Sequence, residues 1–194
     1  MVLFLAYTGL RWGEMAALTP QRLDFLRRRV LVAESVTPVK GVMTFGPTKD
    51  HERREVPLPR FLVDDLAQGA AGKAPDDLLF TGERGGVMRS QTFQRAALTE
   101  ATKRIGIAGF HPHELRHTAA SLAIASGADI KVVQQMLGHK SATMTLDLYG
   151  HLFPDRLDVV ADAIDAARAK ALSDRHQIST KRASAEVVEL KSGL

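Results

Sequence analysis

Four short stretches of this sequence gather side chains suited to binding a phosphate and moving protons around it. In His113-Glu114-Leu115-Arg116-His117 the i,i+3 spacing puts His113 and Arg116 on one face of a helix opened by Pro112. Free backbone N–H groups and the helix dipole favour an anion at that end, so a cation and an imidazole there make a phosphate site. A solvated helix start with a capping histidine would use the same residues. Leu137-Gly138-His139-Lys140-Ser141 places another histidine just past a glycine break, from which it can project into a groove. Tyr149 then precedes Gly150-His151 among polar and basic neighbours. Near the start, Thr8-Gly9-Leu10-Arg11-Trp12-Gly13-Glu14 sets an arginine at a helix start with a carboxylate three residues on. As a plain intrahelical ion pair this is worth about 0.3 kcal/mol. If Glu14 instead orients Arg11, part of the guanidinium fork is left to grip a phosphate bidentately. Lys49 stands in a turn between two strand candidates, where a lysine is ordinarily solvated.

These residues need elements to hold them. The spacing predicts a helical piece ending near Tyr7, broken by Thr8-Gly9, and a second from Arg11 to Leu18 that stops at Thr19-Pro20. Strand candidates follow at Arg29 to Ser35, Val42 to Phe45 and Arg53 to Leu58, the first and last with apolar–polar alternation. With Lys40-Gly41 and 46–50 as turns, they form an antiparallel meander. Phe61 to Ala67 reads as a short helix and Gly69 to Asp77 as a surface loop. Ser90 caps a helix to about Arg104 with Phe93, Ala97 and Ala101 on one face. Pro112 opens a helix through Ser126, Gly127 closes it, Asp129 caps the next and Gly138 closes that one. Helices over Ala142 to Tyr149 and from Leu157 to about Leu172 complete the order, the last with Leu157, Val160, Ala161, Ile164 and Ala167 on one side. From Ser173 the chain turns polar, apart from Val187, Val188 and Leu190.

Composition excludes several chemistries. With no cysteine in 194 residues, disulfide scaffolds, thiolate zinc sites, iron–sulfur clusters and cysteine nucleophiles all drop out. Lys+Arg of 26 against Asp+Glu of 22 gives a net charge of +4, which permits a nucleic-acid partner without demanding one. Only two tyrosines are present, and Tyr7 falls in an apolar run that reads as buried, leaving Tyr149 as the one set among reactive neighbours. The apolar stretch Val2 to Tyr7 is too short to span a membrane and has no signal-peptide pattern. It reads as the end of a buried helix, so the chain is expected to begin inside an element and to lack an N-terminal part.

In chain order these segments resemble the tyrosine recombinase (phage integrase) family. The resemblance rests on Thr8-Gly9-Leu10-Arg11-x-x-Glu14, on Thr48-Lys49 before Arg54-Glu55-Val56-Pro57-Leu58, and on His113-x-x-Arg116-His117-Thr118. Leu137-Gly138-His139 and Tyr149-x-His151 complete it, and it covers the chain to about Phe153. Glu114 stands where the family more often has Asp. The resemblance implies an α+β fold, a mainly helical catalytic domain with a small three-stranded antiparallel sheet over residues 1–172, and a polar tail over 173–194. A core-binding domain that usually precedes it would be absent, so weak, salt-sensitive DNA binding and poor recombination by this chain alone are expected.

The resemblance also implies a reaction, in which a tyrosine hydroxyl attacks a DNA phosphodiester to give a 3′-phosphotyrosyl link and a free 5′-hydroxyl. Tyr149 would be the nucleophile, Arg11 and Arg116 would hold the phosphate oxygens, and Lys49 would protonate the leaving oxygen. His113 would assist proton transfer from the tyrosine, His139 would hydrogen-bond the phosphate, and Glu14 would support the arrangement. No metal, ATP or other cofactor would be required, because cationic side chains supply the field. The partners implied are double-stranded DNA at a specific recombination site, three further copies of the chain in a homotetramer, and accessory DNA-bending proteins. The setting would be cytoplasmic, in a bacterium or phage-infected cell, with no membrane involved. The segment after Pro154 could pack in cis or on a neighbouring subunit. A type IB topoisomerase, or a DNA-binding fragment that does not recombine, are the other readings of the same residues.

Overall fold

A computed structural model describes residues 1–48, 53–107, 109–153 and 157–173. The chain divides into two units, Met1–Phe153 and Pro154–Leu194. In the first, helix α1 (Val2–Thr8) ends at Gly9 and α2 (Trp12–Ala16) follows at once. Five strands come next: β1 (Leu23–Asp24), β2 (Arg29–Val32), β3 (Glu34–Val39), β4 (Val42–Pro47) and β5 (Arg54–Pro57). Helix α3 (Val63–Ala70) precedes a long loop, then α4 (Ser90–Phe93) runs through a π-helical turn at Gln94–Leu98 into α5 (Thr99–Arg104). Helices α6 (Glu114–Ala125), α7 (Ile130–Leu137) and α8 (Ala142–Tyr149) complete the unit. The second unit is described through one helix, α9, over residues 157–173. No helix among the described residues is long and apolar enough to cross a membrane.

The α+β class stands, but the strands pair differently from a meander. The segment expected as one strand, Arg29 to Ser35, breaks at Ala33 and changes partner. β2 pairs antiparallel with β5, Val30 opposite Val56, and with β1 on its other side, while β3 pairs only with β4. Two hydrophobic clusters account for the break. Val30, Val32 and Val56 turn into the main core with Phe4, Leu10 and Leu115, whereas Val36 packs with Ala16 at the end of α2 and with its C-cap Ala17. The β3–β4 hairpin closes on Lys40 and Gly41, both at positive φ (48° and 85°), the two-residue turn whose twist matches paired strands.

Two expected faces also change. In α4–α5 the buried residues are Leu98 and Thr102, while Ala97 and Ala101 are exposed. The π turn inserts one extra residue after Phe93, so the inward face advances by one position beyond it. Tyr7, read as buried, is 37% exposed and stacks edge-on against Phe61 with ring centroids 4.8 Å apart. Phe4, Leu5 and Thr8 form the inward face of α1, and at 100° per residue position 7 falls outside it.

Helix α1 packs against α6, α7 lies against α6 and β5, and α8 lies against α7. Their junction is tight at Gly9, which caps α1 in the left-handed region at φ 67°. A Cβ there would lie 2.9 Å from Leu137 Cδ2 and 3.2 Å from Ala119 Cβ, so both backbone and packing require glycine. Gly9→Ala is expected to cost about 2 kcal/mol, read as a lower urea midpoint with an unchanged slope. An unchanged midpoint would show that α1 moves aside freely.

Candidate active site

The site is assembled where the ends of α1, α6 and α7 meet the start of β5. Arg11 is the N-cap of α2. Its backbone N–H donates to Glu14 Oε2 (2.8 Å), its Nη1 to Glu14 Oε1 (3.0 Å) and its Nη2 to the Gly138 carbonyl (3.3 Å). Glu14 does orient Arg11, as the spacing suggested, and it does more. Its side chain is 1% exposed and also receives Arg54, with Nη1 at 2.9 Å and Nη2 at 2.6 Å, while Arg54 Nε donates to the Met136 carbonyl at 3.1 Å. Burial pushes the Glu14 carboxyl upward, but the hydrogen bonds and charge of Arg54, then of Arg11, outweigh it and hold the group below the ordinary carboxylate value. Glu14 is therefore an ionised hinge between two arginines from distant parts of the chain.

Arg116 is 4% exposed. Its Nη1 donates to the Gly9 carbonyl at 2.5 Å and its Nη2 to the Leu137 carbonyl. Both acceptors are carbonyls at helix C-termini, groups that lack partners within their own helices. Burial, then the repulsion of Arg11, lowers its pKa to about 10, so it remains charged at neutral pH. Arg116 and Arg11 together line a pocket of about 200 Å³ that also takes in His113, His111 and Ser90. His113 itself sits at the mouth of α6 as N-cap, and burial, His117 and Arg116 lower its pKa.

Arg11 also lines a second cavity, of about 470 Å³. Its walls carry Arg53, Arg54, Lys131 and His139 beside the buried Thr48. Gly138 adopts φ 63° and releases His139 from α7 into this space, where its Nδ1 lies 3.0 Å from Thr145 Oγ1. Burial first, then the charges of Arg116, Arg11 and Arg54, pull His139 down to about 4. At neutral pH it is an uncharged hydrogen-bonding group. Because the unfolded imidazole titrates near 6.5, the unfolded chain takes up a proton that the folded chain refuses as pH falls from about 6.5 toward 4. The thermal midpoint is expected to drop across that window, and His139→Gln should flatten that part of the profile. An equal slope in the variant would place the titrating group elsewhere.

Tyr149 ends α8 at 4% exposure, and its hydroxyl lies 2.8 Å from His117 Nδ1. The His117 ring is in turn edge-on to His113, with centroids 5.2 Å apart. Burial raises the tyrosine's pKa above its usual 10, Arg116 opposing the rise and Glu114 adding to it. Arg11, Glu14, His113, Arg116, His139 and Tyr149 thus come together at one junction of helix ends, while Lys49 lies outside the described residues.

Two residues stand in the sequence motifs without a role there. Arg54 was legible in principle, since it shares a strand face with Val56, and an inward arginine needs a buried carboxylate. His117 carried the signal of i,i+4 spacing from His113, which puts it on the same stripe of α6.

Residues 1–156 match the Phage integrase family. The chain belongs to that family. Among relatives of this family member, tyrosine recombinase XerC of Corynebacterium efficiens is 32% identical over 155 residues, covering 77% of this chain and 44% of that protein. The ICEBs1 integrase of Bacillus subtilis is 29% identical over 170 residues, 81% of this chain and 46% of that protein. The chain thus spans less than half the length of these curated relatives. Among solved structures, the catalytic domain of bacteriophage HP1 integrase superposes with a TM-score of 0.59 at 26% identity, covering 83% of this chain and 78% of that one. The Tn1549 transposon integrase in complex with transposon right end DNA shares the fold at a TM-score of 0.69 and 21% identity, over 86% of this chain and 57% of that one.

Proposed function

We propose that this chain carries the strand-cleaving and strand-joining chemistry of a site-specific DNA recombinase. The observation that carries the reading is the junction itself: Arg11 and Arg116, held in place by Glu14 and by helix-end carbonyls, line one basic cavity with His113, Arg11 lines a second with His139, and the tyrosine of α8 meets His117, the residue after Arg116. A scissile phosphate against Arg11 and Arg116 would have its non-bridging oxygens clamped by two guanidinium forks, and the charge that grows on them in the transition state neutralised. His139, neutral by its depressed pKa, would donate a further hydrogen bond, and His113 would stand at the opposite wall. Tyr149 Oη would attack phosphorus and displace the 5′-oxygen, which Lys49 would protonate. The 3′-phosphotyrosyl link keeps the energy of the broken phosphodiester, so a 5′-hydroxyl from another duplex can reverse the step without ATP. In this scheme cationic side chains perform the work that a metal performs in other phosphoryl transfers. Exchange between two duplexes requires four strand cleavages, hence four copies of the chain.

The test is covalent capture. Mixed with a pool of nicked duplexes of randomised core sequence, in which the cleaved 5′ fragment diffuses away, the chain should accumulate a protein–DNA adduct linked through a 3′-phosphate. No adduct at any enzyme concentration would overturn the reading. Relaxation of supercoiled plasmid without site preference would assign the chemistry to a topoisomerase of type IB instead.

A further inference from the structure

Tyr149 as a nucleophile poses a problem that the arginines do not solve. The phenol is buried, burial raises its pKa, and Arg116 only partly offsets the rise, so at neutral pH the hydroxyl keeps its proton. An attack on phosphorus must therefore deliver that proton to a neighbour as the Oη–P bond forms. The neighbour in contact is His117, with Nδ1 2.8 Å from the hydroxyl and ring centroids 5.6 Å apart.

Resting on the reading of Tyr149 as the nucleophile, we propose that His117 is the proton acceptor for its hydroxyl, a catalytic residue in addition to Arg11, Lys49, His113, Arg116 and His139. The ring takes part as the tautomer protonated on Nε2, leaving the Nδ1 lone pair to accept the hydroxyl. In the cleavage step the Tyr149 proton passes to Nδ1, Oη bonds to phosphorus, the P–O5′ bond breaks, and the 5′-oxygen gains a proton from Lys49. When a 5′-hydroxyl attacks the phosphotyrosine, its proton passes to the neutral Lys49 amine, the P–Oη bond breaks and the imidazolium returns its proton to Oη, so His117 and Lys49 both end the cycle unchanged. Two features prepare it for this role. It lies one residue from Arg116 on α6, so the helix that fixes the phosphate clamp also fixes the base. Its ring abuts His113 edge-on, which limits its rotation and keeps Nδ1 on the tyrosine.

The experiment compares the rate of covalent adduct formation for the unsubstituted chain, His117→Ala and His117→Asn, on nicked duplex pools with an oxygen or a sulfur atom at the bridging 5′ position. A thiolate leaves without a proton, so the sulfur substrate reports activation of the tyrosine alone. Asn places an amide oxygen near the position of Nδ1 and so retains a hydrogen-bond acceptor for the hydroxyl, but it is not basic. Both variants are expected to slow adduct formation by about a hundredfold or more on both substrates. An unsubstituted rate in His117→Asn on either substrate would overturn the proposal and leave Tyr149 as the nucleophile. Absence of any adduct with the unsubstituted chain would overturn both.

Discussion

Tyr149→Phe is expected to abolish the covalent adduct while leaving DNA binding within about twofold of the unsubstituted chain. The variant deletes one oxygen from a side chain that is 4% exposed, and the ring still fills its place in the core. The hydrogen bond to His117 is lost, which costs about 1 kcal/mol of stability, too little to unfold a domain of this size. On the proposed reading, binding would depend on the cationic walls formed by Arg11, Arg53, Arg54 and Lys131, and none of these residues is the hydroxyl's hydrogen-bond partner. The proposed chemistry would depend on the oxygen itself. Nor can the other tyrosine substitute, since Tyr7 lies on the outward side of α1 against Phe61. Filter binding and denaturing gel analysis on the same duplex pool separate the two quantities. An adduct formed by the Phe variant would move the nucleophile to another residue; a collapse of binding would mean that the hydroxyl takes part in recognition.

Glu14→Gln is expected to lower stability by about 3 kcal/mol, and with it the thermal midpoint by about 10 °C. The substitution keeps volume and one acceptor oxygen but removes the charge that Arg54 and Arg11 share. Arg54 is only 11% exposed, so its guanidinium would be left buried beside Arg11 and Arg116 with no anion among them. That is the situation in which breaking a buried ion pair costs most, because the surviving charge stays desolvated. Replacing Arg54 by Met in the same chain should recover part of the loss, a coupling that a double-mutant cycle measures. The acid limb of the stability profile gives a second reading. A carboxyl held below its unfolded pKa contributes fully above the unfolded value and loses its contribution as pH falls through the folded one, so Glu14→Gln should reduce the loss of stability below about pH 4.5. A change in midpoint under 2 °C would show that water reaches the arginines and compensates them.

These two residues illustrate what could be read in advance. The glycine breaks at Gly9 and Gly138, the cap at Asp129, and the Lys40-Gly41 turn were all legible, because each is a local backbone requirement carried by one or two residue types. Arg11, Glu14, His113, Arg116, His139 and Tyr149, which the structure brings to one junction, could be picked out one by one, since type and spacing on a helix are visible in sequence. The pairing of β2 with β5 was not legible. Alternation shows that Val30, Val32 and Val56 face inward, but not that the chain leaves one cluster for another at Ala33. The shift of the α5 face was hidden too, because the π turn lies in a run of ordinary helix formers.

By itself, then, the sequence determined the order of the helices, the exclusion of thiol chemistry, the family resemblance, and the short list of residues from Arg11 to Tyr149. Only the tertiary structure decided the partners. Glu14 serves Arg54 as well as Arg11, Arg116 rests on carbonyls from two other helices, and Tyr149 meets His117 rather than solvent. The reason is physical. Local preference depends on neighbours along the chain, whereas the charge state and reach of a site side chain depend on what folding brings beside it, across 107 residues for Arg116 and Gly9 and 127 for Arg11 and Gly138.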